Sequence, residues 1–195
     1  MKVRLIYPRW PKLRNQPEFH LPPHGPVVFA ATLPKHVQIE FCDENVQEVD
    51  YSPDCDLVCI SCMLTCQMPR GYAIADRFRA MGKKVLFGGI GTSLHAEETL
   101  QHADCVFLGE TEGRMEAVLR DFEQGTLKPV YDFQDQFPDV GLIRPARRDP
   151  AGPRALQLPR GADGGPGAYL ARMPLQMLPL LRAVFRRAQP SAQTH

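Results

Sequence analysis

Apolar residues cluster in short runs separated by amphipathic stretches, and the alternation repeats along the first two thirds of the chain. Leu57–Ile60 is an apolar run short enough for a buried parallel strand. After a turn, Arg70–Gly82 places Tyr72, Ala75 and Phe78 at helical spacing, with Gly82 where a helix end wants a left-handed residue. Val85–Phe87 is the next buried strand and ends in Gly88-Gly89, which completes one βαβ unit. Upstream, Val3–Tyr7 predicts the first strand, Gly25–Leu33 a short apolar helix closed by Pro34, and Val37–Phe41 a second strand. Downstream, Ala96–Ala103 predicts a helix with Glu97 and Glu98 in its first turn, where the helix dipole favours anions. Cys105–Leu108 is a fifth strand, and Glu112–Gln124 an amphipathic helix stopped at Gly125. Five strands with intervening helices predict an α/β domain with a doubly wound parallel sheet, flavodoxin-like in its order 2-1-3-4-5.

Such sheets bind ligands at the carboxyl ends of their strands. Ser61 and the Gly88-Gly89 pair fall there. Without Cβ atoms, glycines let a ligand approach the backbone and its N–H groups. No G-x-x-x-x-G-K-[ST] occurs, which excludes a P-loop. Glu110 and Glu112 follow the last strand, and ligand contact or a plain helix start explains them equally well. Pro8–Pro26 holds six prolines together with Trp10, Phe19, His20 and His24, and forms a long loop of the kind that is functional or disordered.

Composition changes this picture at two points. The 195 residues carry a net charge of only +1, but residues 144–195 hold nine Arg, no Lys and two Asp, about +7, while the rest sum to about −6. The expected organisation is therefore a folded domain over 1–143 and a largely disordered Arg/Pro/Gly-rich tail over 144–195. Within the tail, Met173–Ala188 suits a basic amphipathic helix for a membrane surface or partner. Its composition better suits a segment without an evolved role, such as an out-of-frame reading of a GC-rich gene. The absence of a run of about 18 apolar residues predicts no transmembrane segment. Six cysteines with no secretory signal predict free thiols in the cytoplasm, and no nucleic-acid partner is expected.

Cys55-x-x-x-Cys59-x-x-Cys62 has the spacing with which radical S-adenosylmethionine enzymes hold an iron–sulfur cluster, and Cys66 adds a fourth thiol that would suit zinc. A cluster needs its thiolates to converge, whereas in a continuing strand Cys59 and Cys62 point to opposite faces. An iron–sulfur or zinc protein stays an alternative, and buried free thiols are the plainer account. His20 and His24 have Pro22 and Pro23 between them, so no helix presents both, and they are expected on a loop surface.

Ser61-Cys-Met63 followed 27 residues later by Gly88-Gly89 resembles the S-x-L…GG pattern of cobalamin-binding domains. With the Pro-rich loop, Asp43-Glu-Asn-Val, Asp56–Ser61, Arg70–Ile90 and Ala103–Glu110, residues 1–143 look like the N-terminal domain of cobalamin-dependent (class B) radical S-adenosylmethionine proteins. The resemblance implies a corrinoid as cofactor, its tail beside Ser61, Met63, Gly88, Gly89, Ile90 and Gly91, with Gly109 and Glu110 opposite and Leu64 and Thr65 among the loop residues that meet the ring. It places the corrin face against Pro8–Trp10 and Met63–Gln67. No Asp-x-His exists in the chain, so the cobalamin is expected base-off, with no protein histidine on cobalt. The family continues into a barrel with a C-x-x-x-C-x-x-C loop, and here the tail stands in that place. The resemblance thus implies a methyltransferase-related, truncated binding domain that is not catalytic alone and works with a separate radical subunit, or else a remnant that no longer binds.

Overall fold

The computed structural model describes residues 1–11, 23–139, 141 and 143–151, all within a compact unit spanning Met1–Leu158. Six strands, β1 (Lys2–Tyr7), β2 (Gln38–Asp43), β3 (Leu57–Ser61), β4 (Lys84–Gly88), β5 (Cys105–Leu108) and β6 (Val130–Asp132), form one parallel sheet in the order β2-β1-β3-β4-β5-β6. This is the expected flavodoxin-like order with one strand added at the edge. The added strand is three residues long, and only Tyr131 in it is buried, too little pattern to register as a strand. Its Tyr131 hydroxyl donates to Asp121 Oδ2 at 2.5 Å and ties the edge to the neighbouring helix.

Side chains alternate across the sheet with the two-residue period of a strand. Val3, Leu5, Tyr7, Leu57, Cys59, Leu86, Cys105 and Phe107 face one side and pack under α1 (His24–Thr32) and α5 (Met115–Glu123). Ile6, Val58, Ile60, Val85, Phe87, Val106 and Leu108 face the other, under α2 (Met68–Ala80). Tyr72, Ala75 and Phe78 are buried on that side as the spacing predicts, and Gly82 and Gly125 end their helices at φ +76° and +71°.

Between β4 and β5 the expected single helix is two, α3 (Ile90–Leu94) and α4 (Ala96–His102), hinged at His95. Alpha5 begins at Met115, so Glu112 stands in the preceding loop and not in a helix. Ala146 packs against the α1-side core, and the Arg147 backbone N–H donates to Val27 O at 2.8 Å. The tail segment Met173–Ala188, its expected disorder, Phe19 and His20 lie outside the described residues. Among the described residues, no helix is long and apolar enough to cross a membrane.

Candidate functional site

At the carboxyl edge of β3, β4 and β5 the chain must turn away without covering the sheet. The β3 exit is held by Gln67, which is fully buried. Its Oε1 accepts the N–H groups of Met63 (3.0 Å) and Leu64 (2.9 Å), and its Nε2 donates to Pro8 O at 2.6 Å. One side chain thereby staples the loop after β3 to the loop after β1. Beside it, the buried carboxylate of Glu44 accepts from Arg70 Nε (2.8 and 3.0 Å), Arg70 Nη2 and the Arg9 backbone N–H (3.1 Å). Pro8 is buried as part of this framework. Trp10 stacks edge-on to Tyr7 and lines a separate cavity with Arg9 and Glu44.

The β4 exit depends on glycine, for two different reasons. Gly89 sits at φ +95°, and a Cβ there would lie 2.4 Å from Cys62 O. Gly91 is less constrained: its N–H donates to Cys62 O at 3.0 Å, and a Cβ there would lie 3.1 Å from Cys62 O. Gly109, at φ +93°, closes the β5 exit with a would-be Cβ 2.8 Å from the Phe133 backbone. Gly89 and Gly109 are demanded by the chain itself. Gly88 is not: its backbone is unexceptional, and a Cβ would meet nothing nearer than Phe107 O at 4.0 Å. That bare position opens onto a cavity.

The cavity measures about 340 Å³, within the ~300–1,000 Å³ span of small-molecule sites. Leu5, Cys59, Leu86 and Phe107 line it from the sheet and Val28 and Phe29 from α1, so its walls are largely apolar. Polar groups converge at Ser61, Glu110 and Glu112. Among the described residues the Ser61 hydroxyl has no hydrogen-bond partner. Glu112 is 8% exposed, and its Oε2 is buried with no partner.

Of the expected site residues, Ser61, Gly88, Gly89, Gly109 and Glu110 therefore meet around one cavity. Met63, Leu64 and Ile90 do not line it. With Leu94 they form an exposed apolar stretch beside it, 53%, 39%, 63% and 69% accessible. Thr65 opens a 3₁₀ turn and its Oγ1 lies 3.3 Å from His95 Nε2. Glu112, for which ligand contact and a helix start were equally open, joins them at the cavity, and the α1 residues Val28 and Phe29 are the members the sequence did not single out. His24 begins α1 and borders the cavity, a correction to its place on a plain loop surface. A buried acid in G-E-T-E was the available signal, but no period marks a loop residue as buried.

Cys59 packs under α1 while Cys55 and Cys62 belong to the opposite core, so the three thiols are divided by the sheet. Desolvation pushes the Cys62 thiol up to about 12 and raises Cys59 further, which disfavours the thiolate a metal needs. Among the described residues no three His, Cys, Asp or Glu side chains converge as metal ligands.

Comparison with known proteins places the chain in a family. The family model described as the B12 binding domain matches residues 15–119, just over half of the chain. Bacteriochlorophyllide d C-8(2)-methyltransferase of Chlorobaculum tepidum is 39% identical over 120 residues, 61% of this chain and 26% of that enzyme. Bacteriochlorophyllide d C-12(1)-methyltransferase of the same organism is 31% identical over 123 residues, with the same coverage. The chain thus spans about a quarter of the length of the relatives it matches. No solved structure gives a significant match.

Proposed function

Because the chain belongs to the B12-binding domain family, we propose that it holds a cobalamin across the carboxyl edge of its sheet, with the nucleotide tail in the cavity at Gly88. One observation carries the placement: Gly88 is bare although no protein atom needs it to be, and it faces an apolar slot suited to a flat aromatic base. The slot has the polar fittings a nucleotide needs, in the Ser61 hydroxyl and the carboxylates of Glu110 and Glu112. The corrin ring rests on the loops at Pro8–Trp10 and Met63–Gln67, which the Gln67 bonds hold as one surface. Met63, Leu64 and Ile90 offer it exposed apolar contact.

The tail is displaced from cobalt, and no protein imidazole replaces it, since the chain lacks Asp-x-His. A bound corrinoid supplies a cobalt able to carry a methyl group. The two relatives are methyltransferases by name, and we place this domain in methyl transfer by a radical S-adenosylmethionine protein. All six cysteines stay free thiols in a reducing cytoplasm.

Reconstitution with hydroxocobalamin, desalting and a visible spectrum test this directly. Retained corrinoid with a base-off spectrum is expected. A retained base-on spectrum would keep binding but overturn the tail in the slot, and a colourless protein would overturn binding. Gly88→Val places its Cβ without a clash and fills part of the slot, so its affinity should fall at least about tenfold, close to 1.4 kcal/mol. Unchanged affinity in that variant would remove the tail from the slot.

A further inference from the structure

A carboxylate oxygen buried without a hydrogen bond is unfavourable, and folded proteins seldom keep one that has no task. Glu112 Oε2 is such an atom among the described residues, in a side chain more than nine-tenths buried that lines the Gly88 cavity. Much of the surrounding wall is apolar, with Leu86, Phe107, Val28 and Phe29, and none of the donors on it, Ser61, Thr111 and His24, is bonded to this oxygen. Nor is Glu112 a helix cap, since α5 starts at Met115 and its first-turn acid is Glu116. The missing partner must bring its own hydrogen into the cavity.

We propose that Glu112 is the acceptor that seats the nucleotide tail of the corrinoid by taking a hydrogen bond from an O–H or N–H donor on that tail. This rests on the corrinoid reading and deepens it. It makes the domain selective for complete corrinoids over those that lack the nucleotide. Cobalamin offers the ribose hydroxyl as donor, while a cobamide with an adenine base adds an amino group. Cobinamide has the corrin ring and its amides but no nucleotide.

The test compares the dissociation constants of hydroxocobalamin, adeninyl cobamide and dicyanocobinamide for the wild type, Glu112→Ala and Glu112→Gln. Loss of the acceptor should weaken both complete corrinoids about tenfold and leave cobinamide within about twofold. Equal losses on the two complete corrinoids assign the ribose hydroxyl, and a larger loss with adenine assigns the base. Glu112→Gln retains an amide oxygen and should recover part of the affinity. A loss of the same size on cobinamide, or none on any ligand, would overturn the proposal while corrinoid binding stands. Wild-type protein binding cobinamide as tightly as hydroxocobalamin would do the same. Wild-type protein binding none of the three removes the underlying reading as well. Melting of the ligand-free variants separates function from folding: a site residue gives equal or higher thermal stability in Glu112→Ala, whereas a scaffold residue gives a loss.

Discussion

Gly88 and Gly89 are adjacent and identical in sequence, yet the fold makes opposite demands on them. Gly89 occupies a left-handed conformation against Cys62 O, and Gly109 repeats that arrangement against Phe133. An L side chain there is strained and also collides, so Gly89→Ala and Gly109→Ala should each cost about 2 kcal/mol or more. Gly88→Ala has room on every side and should leave stability unchanged. Urea midpoints of the three variants decide the matter, and a Gly89→Ala protein as stable as Gly88→Ala would refute the division of roles. Sequence shows the pair and its place after a strand. It cannot show which glycine serves the backbone and which the ligand, because φ and the far wall belong to the folded chain.

Among the elements, the 3₁₀ turn ending at Gln67 matters more than its three residues suggest. A fully buried amide spans from the β3 exit to Pro8, 59 positions away, so the two loops move as one. Replacing it with an isosteric apolar residue, Gln67→Met, leaves Pro8 O and the N–H groups of Met63 and Leu64 without their partner. The expected cost is about 1–3 kcal/mol, moderated where water reaches these groups. Amide exchange at Met63 and Leu64 should quicken well before the sheet opens. Exchange rates there equal to wild type would show that the loops are held by something else. The elements that escaped the sequence share one trait, too short a stretch to carry a period. Strand β6 has three residues and α3 has five, too few for a period to show. Longer elements such as α2 were legible because burial on one face selects residues at 3.6-residue spacing.

At the scale of the molecule, the sheet order and its two buried faces were legible because a parallel sheet covered on both sides must be apolar in every central strand. Filling those faces partly with cysteine has a consequence for the whole fold. Desolvation pushes Cys42 from an ordinary value near 9 up to about 11, and Cys62 and Cys105 up to about 12, with Cys59 raised as well. In the unfolded chain the same thiols ionise near their ordinary value. Above that point the unfolded state has lost protons that the folded state keeps, so stability declines as pH rises. The contribution is complete below about pH 8.5 and drains away through pH 9 to 12, at up to about 1.4 kcal/mol per pH unit for each buried thiol. Tyr7 and Tyr131, both raised to about 12, extend the decline above pH 10. Urea midpoints at pH 8, 9.5 and 10.5 should therefore fall steeply. A variant carrying Cys42→Ala, Cys59→Ala, Cys62→Ala and Cys105→Ala starts from lower stability, because it leaves cavities, but its midpoint should change much less with pH. If its slope matches the wild type, the alkaline loss comes from other groups and the thiols are not what the core titrates.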